Sequence, residues 1–154
     1  MGQTVIDRTQ SLTVRAVLRE DAKAVAELSG QLGYEASTEE MAERIEIVTA
    51  HPESQAVFVA CLGEEVVGWV EASISQHLQS PAYSLISGLV VRDGVRRLGA
   101  GRMLCAEVER WSREKGVKLV RVTSRVSRED AHRFYLREGF EQIKTSAVFE
   151  KVLS

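Results

Sequence analysis

Apolar positions along the chain switch between period two and period three to four, and each switch marks a new element. Leu12 to Val17 alternates and is rich in β-branched residues, which predicts a strand. It leads through Arg19-Glu20-Asp21 into Ala22, Val25, Leu28 and Leu32 at helical spacing. Ser37 and Glu40 form an S-x-x-E capping box ahead of Met41, Ile45 and Val48, which share a helical face that His51-Pro52 ends. Ala56 to Leu62 and Val66 to Ser75 are joined across Gly63-Glu64, and Tyr83 to Val91 follows a loop containing Pro81, so three antiparallel strands are expected. In the middle strand Gly68, Val70, Ala72 and Ile74 face one way and Trp69, Glu71, Ser73 and Ser75 the other. Gly99 to Lys115 sets Met103, Leu104, Val108 and Trp111 on one helical face, with Gly116 just beyond its end. Leu119 to Thr123 predicts a strand, and Ser127 to Asp130 an S-x-x-D helix start for a short helix carrying Ala131, Phe134 and Tyr135 that Gly139 terminates. Phe140 to Ile143 and Ala147 to Leu153 predict two closing strands. The order β-α-α-β-β-β-α-β-α-β-β implies an α/β fold, a mixed sheet with helices on both faces.

The 154 residues carry this string as one expected domain, 1–154, with residues 1–10 peripheral. No apolar run approaches the ~20 residues that cross a bilayer, and the N-terminus lacks a signal-type stretch, so the expectation is a cytoplasmic protein without membrane attachment. Cys61 and Cys105 have neither metal-ligand spacing nor the density of a secreted scaffold, and read as buried reduced thiols with no metal. The net charge of −2 hides an asymmetry. Residues 1–90 hold 13 acids against 5 bases, and residues 91–154 hold 9 acids against 15 bases. Arg supplies 15 of the 20 basic residues, with Arg92, Arg96, Arg97 and Arg102 crowded together. Its planar fork suits phosphate oxygens, although most such residues form solvated surface. A nucleic-acid binder would interleave aromatics with these arginines, and this stretch has almost none.

The sharpest local signal is Arg96-Arg97-Leu98-Gly99-Ala100-Gly101, between the strand end Leu89-Val90-Val91 and the start of an amphipathic helix. Two glycines let backbone N–H groups approach a ligand where a helix offers unpaired donors and the positive end of its dipole, which is an anion cradle. A Gly-rich loop that only turns the chain is the competing reading. G-x-x-x-x-G-K-[ST], G-x-G-x-x-G and G-x-S-x-G are all absent, which argues against a nucleotide hydrolase, a dinucleotide enzyme and a serine hydrolase.

Arg96-x-x-Gly99-x-Gly101 after a strand resembles the pyrophosphate-binding motif of the GNAT superfamily of acetyl-CoA-dependent N-acetyltransferases. The run Asp130-Ala-His-Arg-Phe-Tyr-Leu-Arg-Glu-Gly-Phe140 resembles its second motif, closest to aminoalkylphosphonate and then aminoglycoside 6′-N-acetyltransferases. The resemblance covers about residues 12 to 153. It implies a twisted, mostly antiparallel sheet of about six or seven strands with one splayed parallel pair, Tyr83 to Val91 and Leu119 to Thr123. It also implies acetyl-CoA as co-substrate, a small-molecule amine as acceptor, no nucleic-acid or membrane partner, and a homodimer. By the same resemblance Leu89, Val90 and Val91 contact the pantetheine arm and the acetyl carbonyl, with the Leu89 N–H as oxyanion donor. The amides of Arg97, Leu98, Gly99, Ala100, Gly101 and Arg102 hold the pyrophosphate, and Arg96 or Arg97 adds side-chain charge. Tyr135 protonates the leaving thiolate, with Phe134 beside it against the cofactor, and His132 is structural.

A free alkyl amine of pKa about 10.4 is mostly protonated at neutral pH, so a base is required. The aminoalkylphosphonate enzymes carry carboxylates on the strand equivalent to Tyr83–Val91, and this chain has none there. Glu71 on the neighbouring strand is the leading candidate, with His77 and Glu35 behind it, and a solvated or Arg-paired acid is the competing reading for Glu71. The family's common Asn before the second motif helix is replaced by Ser127 or Arg128. The acidic N-terminal half points to a cationic acceptor, and the likeness of the second motif to phosphonate enzymes points to an anionic amine. A non-catalytic acyl-CoA sensor and a protein or peptide amine acetyltransferase are the alternative functions.

Overall fold

The computed structural model describes residues 11–154, so the expected peripheral segment 1–10 lies outside the described residues. The chain divides into two units, residues 1–122 and 123–154.

The first unit is built on a five-stranded sheet in the order β1-β2-β3-β4-β5. β1 is Leu12–Ala16, β2 Gln55–Leu62, β3 Glu65–His77, β4 Ser80–Val91 and β5 Val120–Val122. The first four pair antiparallel with their neighbours, and β4 and β5 pair parallel. Gly63 at φ +64 makes the expected turn from β2 to β3. β4 begins earlier than predicted, since Pro81 lies inside it rather than in a preceding loop. The ladder is irregular there, between the pairs Ser75–Tyr83 and His77–Ser80, and a residue without an N–H is tolerated where pairing is already interrupted.

Two helices, α1 (Ala22–Ser29) and α2 (Thr38–Thr49), cover one sheet face. Val25, Leu28, Met41 and Ile45 pack there against Val59, Cys61 and Val90, with Trp69 at the margin. The Ser37–Glu40 capping box forms as predicted: the Glu40 N–H donates to Ser37 Oγ at 3.0 Å, and the Ser37 N–H donates to Glu40 Oε1 at 2.8 Å. α3 (Ala100–Glu114) covers the opposite face with Leu104, Cys105, Val108 and Trp111 buried. Gly116 at φ +77 closes it, and the Val117 N–H bonds back to the Ser112 carbonyl at 2.9 Å. Full burial of Leu104 or Val108 contributes about 1.5–3 kcal/mol each, which fixes the helix to the sheet. Both cysteines are buried, and no disulfide joins them.

The second unit holds one helix, α4 (Glu129–Arg137), ended by Gly139 at φ +95. Its N-cap is Arg128 with no side-chain cap, so the expected start at Ser127 is displaced by one residue and Ser127 supplies only a carbonyl, to the Glu129 N–H. The two closing strands predicted at Phe140–Ile143 and Ala147–Leu153 do not form, and the sheet has five strands rather than six or seven. Alternation specifies the faces of a strand but not the edge it pairs with.

At the start of α1, Asp21 is a buried carboxylate held in a fork. Arg15 donates to its two oxygens at 2.8 and 2.9 Å, and the Leu18 N–H donates at 2.7 Å. Burial pushes this carboxyl up, but the Arg15 bonds and the Leu18 amide outweigh burial and hold it below the usual range. A depressed folded-state pKa gives stability that is present above the unfolded value near 3.9 and lost as pH falls through the folded one. Asp21→Asn should therefore cost about 1.5–3 kcal/mol at neutral pH in chemical denaturation. The deficit should shrink as the pH of the titration is lowered below about 4.

Candidate active site

The site is assembled from a change of phase in one strand. β4 and β5 are paired through Ser84–Val120, Leu85–Arg121 and Ile86–Val122, and there β5 ends while β4 runs on to Val91. At that point the β3–β4 register jumps from Ala72–Ile86 to Glu71–Gly88, so Ser87 is an extra, exposed residue in a β-bulge. Before the bulge the Ser84 N–H donates across to the Leu119 carbonyl at 2.8 Å, so even-numbered residues turn their main chain toward β5. After it the Arg92 N–H donates to Val67 on β3 at 2.8 Å, so even-numbered residues turn toward β3. The main-chain groups of Leu89 and Val91 therefore point off the β5 side of β4, where the ladder has stopped.

This phase sorts the predicted contacts. Leu89 turns its N–H and C=O into the gap. The Val91 carbonyl faces the same way but accepts from Gln31 Nε2 at 3.1 Å and from Arg96 Nε at 3.5 Å, so the chain itself already occupies it. Val90 faces the other way: its side chain is buried with α1 and α2, and its carbonyl lies 3.0 Å from where a Cβ on Gly68 of β3 would stand. The Gln31 clamp, whose Oε1 also accepts from the Asp93 N–H at 3.3 Å, was not visible in the sequence, because its partners lie 60 residues and more away. Gly88 has a role of its own. A Cβ there would stand 2.7 Å from the Trp69 ring, so the indole lies directly over the strand at the bulge.

The cradle is narrower than the motif suggested. A 3-10 turn at Arg96–Leu98 precedes α3, and within it the Leu98 N–H bonds to Val95 at 3.1 Å and the Gly99 N–H to Arg96 at 3.4 Å. Those two amides are engaged within the turn. The first rung of α3 runs from the Met103 N–H to the Gly99 carbonyl, so the amides of Ala100, Gly101 and Arg102 precede the helix ladder. Gly99 sits at φ +90 with nothing within 4 Å of an added Cβ, which leaves open space beside the helix start. Among the clustered arginines, Arg92 pairs with Glu65 and Arg96 with Asp93, each at 2.8 Å. The exposed Arg97 side chain has no ion pair or hydrogen bond among the described residues.

On the face shared with α1 and α2, Glu71 is half-buried opposite Gly88 and makes no ion pair among the described residues. Farther along β3 and β4, Tyr83 hydrogen-bonds His77 Nε2 at 3.2 Å, and the Arg121 guanidinium stacks 4.3 Å from the Tyr83 ring centroid. Glu27, Glu35 and Glu40 line an open hollow of about 480 Å³ around Gly30. Glu40 is also the capping-box residue, and the Ser37 N–H and hydroxyl hold its carboxyl below the usual range. In the second unit Tyr135 lies edge-on to Phe134 (5.4 Å between centroids) and to Phe140 (5.6 Å). His132 contacts the Arg125 carbonyl at 2.8 Å.

Residues 21–140 match the acetyltransferase (GNAT) family. The chain belongs to that family. It is 30% identical over 146 residues to an aminoglycoside N(6′)-acetyltransferase type 1 of Stenotrophomonas maltophilia, covering 92% of this chain and 94% of that one. It is 38% identical over 79 residues to an aminoalkylphosphonate N-acetyltransferase of Salmonella typhimurium, a match that spans about half of each chain, 51% and 51%. The fold superposes on aminoglycoside N-acetyltransferase AAC(6′)-Iy in complex with CoA with a TM-score of 0.84, at 20% identity over 94% of this chain and 97% of that one. This GNAT protein is an acetyl-CoA-dependent N-acetyltransferase, and acetyl-CoA is its co-substrate. The residues present fit such a molecule: an open strand edge for an amide-bearing arm and a helix start with an uncommitted Arg97 for a diphosphate. Among the described residues no helix is long and apolar enough to cross a membrane, and no group of three or more His, Cys, Asp or Glu is placed to hold a metal.

If Gly99 supplies close approach, Gly99→Val should weaken acetyl-CoA binding at least about tenfold by calorimetry, since the side chain both fills the approach and strains a positive φ. The thermal stabilisation that wild-type protein gains from saturating acetyl-CoA should fall with it. An unchanged affinity in a folded variant would remove the cradle from cofactor binding.

Proposed function

We propose that this GNAT enzyme transfers the acetyl group by direct attack of a small primary amine on the thioester, with Leu89, Arg97, Ala100, Gly101 and Arg102 binding the co-substrate and Tyr135 and Glu71 handling the protons. The observation that carries this reading is the bulge at Ser87, which turns the Leu89 main chain off the sheet beyond the last β4–β5 pair. Acetyl-CoA supplies the activated acyl group. The Leu89 N–H donates a hydrogen bond to the carbonyl oxygen as negative charge develops on it. Glu71 accepts a proton from the amine, directly or through a water, so that a nitrogen lone pair is available. The C–N bond forms as the C–S bond breaks, the Tyr135 hydroxyl gives its proton to the departing sulfur, and the surplus proton on the new amide nitrogen returns through water to the tyrosinate. Two features support these assignments. Glu71 is half-buried with no ion pair among the described residues, and Tyr135 lies in the run that resembles the family's second motif and is edge-on to two aromatic rings. Phe134 accompanies Tyr135 as a contact to the cofactor.

The acceptor class that the first unit favours is an amine bearing further positive charge, because Glu27 and Glu35 in the hollow have no cationic partner among the described residues. A second reading, an amine bearing an acidic group, is favoured by Arg121, whose guanidinium has no carboxylate partner among the described residues and is stacked on Tyr83. The relatives named above act on one class each. Thiol release from acetyl-CoA across diamines, aminoglycosides and aminoalkylphosphonates separates the two, since only the matching class should give saturable turnover.

Tyr135→Phe should lower kcat by about 10- to 1,000-fold with acetyl-CoA affinity within about twofold of wild type, and unchanged turnover would take the acid role from Tyr135. Glu71→Gln should flatten the acidic limb of the pH profile of kcat/KM, because the wild-type limb reports protonation of the base. A limb that survives the substitution would move the role to His77 or Glu35.

A further inference from the structure

The strand edge that the bulge opens already holds one amide, and that amide belongs to a side chain. Val91 and Asp93 turn their main chain to the same side, because the Arg92 N–H between them is spent on the Val67 carbonyl of β3 at 2.8 Å. On that side Gln31 Nε2 donates to the Val91 carbonyl at 3.1 Å, and Gln31 Oε1 accepts from the Asp93 N–H at 3.3 Å. One residue of a parallel neighbour makes this pair of bonds, its N–H to one residue of the strand and its C=O to the residue two farther on. The carboxamide therefore copies a rung of a ladder at a place where β5 has already ended. Gln31 is not built into the core. It is exposed, in the short 3-10 turn Gly30–Leu32 that follows α1 and is ended by Gly33 at φ +85.

We infer that Gln31 is a placeholder: its carboxamide holds the Val91–Asp93 rung in the free protein, and an amide of the pantetheine arm takes that rung when CoA binds. The arm is a flexible chain with secondary amides, and an open strand edge grips such a chain by the main-chain bonds that Gln31 now makes. A carbonyl oxygen has two lone pairs, and at Val91 Gln31 and Arg96 use both, so another N–H enters only as one of them leaves. Gln31 is the one that holds both ends of the rung. Arg96 Nε reaches only the Val91 carbonyl, at 3.5 Å, and its guanidinium is paired with the Asp93 carboxylate. The exchange replaces one amide by another, so neither the carbonyl nor the N–H is left unpaired while CoA is absent or present. The inference rests on the reading that the co-substrate lies along the Leu89 edge, and it adds a residue that competes with the arm and so sets how tightly it is held.

Calorimetry should give Gln31→Ala an affinity for CoA about two- to tenfold tighter than that of the wild type, the worth of one competing hydrogen bond. Its affinity for ADP, which keeps the diphosphate and lacks the arm, should stay within about twofold of wild type. In proton–nitrogen NMR spectra the side-chain amide signal missing from Gln31→Ala identifies Gln31. In the wild type that signal should move to the position of a water-exposed glutamine on saturation with CoA, and should stay in place with ADP. A variant that binds CoA no tighter than the wild type would overturn the inference, and so would a Gln31 signal that CoA leaves unmoved. Tighter binding of ADP by the same factor would overturn it too, because the effect would then lie in the loop and not on the arm. Equal wild-type affinities for CoA and ADP would show that the edge does not grip the arm, and the reading of the Leu89 edge would fall together with the placeholder.

Discussion

One extra residue in β4 sets which way the main chain of every later residue in that strand faces. A strand has only two sides for its hydrogen-bonding groups, and without Ser87 those of Leu89 would be spent on β3. The bulge reverses the assignment at the place where β5 ends, so a main-chain donor and acceptor face an opening and not a neighbour. The same reversal sends Val90 into the core with α1 and α2 and returns Leu89 and Val91 to the face covered by α3. The phase change that exposes one residue thus buries the next, and the edge is held in shape by the packing on either side of it.

Around this edge the charges are divided by use. Arg92 and Arg96 are neutralised by Glu65 and Asp93 and tie the connection between β4 and α3 to the body of the unit. Gln31 does the same from the α1 side, reaching both Val91 and Asp93. The loop that leads into the helix start is therefore pinned at several points while Arg97 remains uncommitted. A pinned loop has little conformational freedom left to lose if a ligand engages the helix start beyond it.

What could be read from the residues follows the range of the forces involved. The Ser37–Glu40 box, the Gly63 turn and the glycine stops at 116 and 139 are local events within a few residues, and all four appear where the pattern put them. The alternation of β3 was legible because burial on one side of a sheet imposes period two. Ser87 was not, since a bulge in one strand is defined by the register of another. Nor was the engagement of the Leu98 and Gly99 amides, which depends on a 3-10 turn that competes with the ligand for the same donors. Gln31 and the Tyr83–Arg121 stack needed the folded chain to bring them together. The final segment shows the reverse failure: its residues have the composition of strands, but a strand exists only once an edge accepts it.

The indole that lies on Gly88 limits how this enzyme can diversify. Any side chain at that position would have to lift the Trp69 ring, and the ring rests against the same core that seats Val90. Position 88 is thereby closed to decoration, and variation along this stretch of β4 falls to its neighbours, of which Ser87 is exposed.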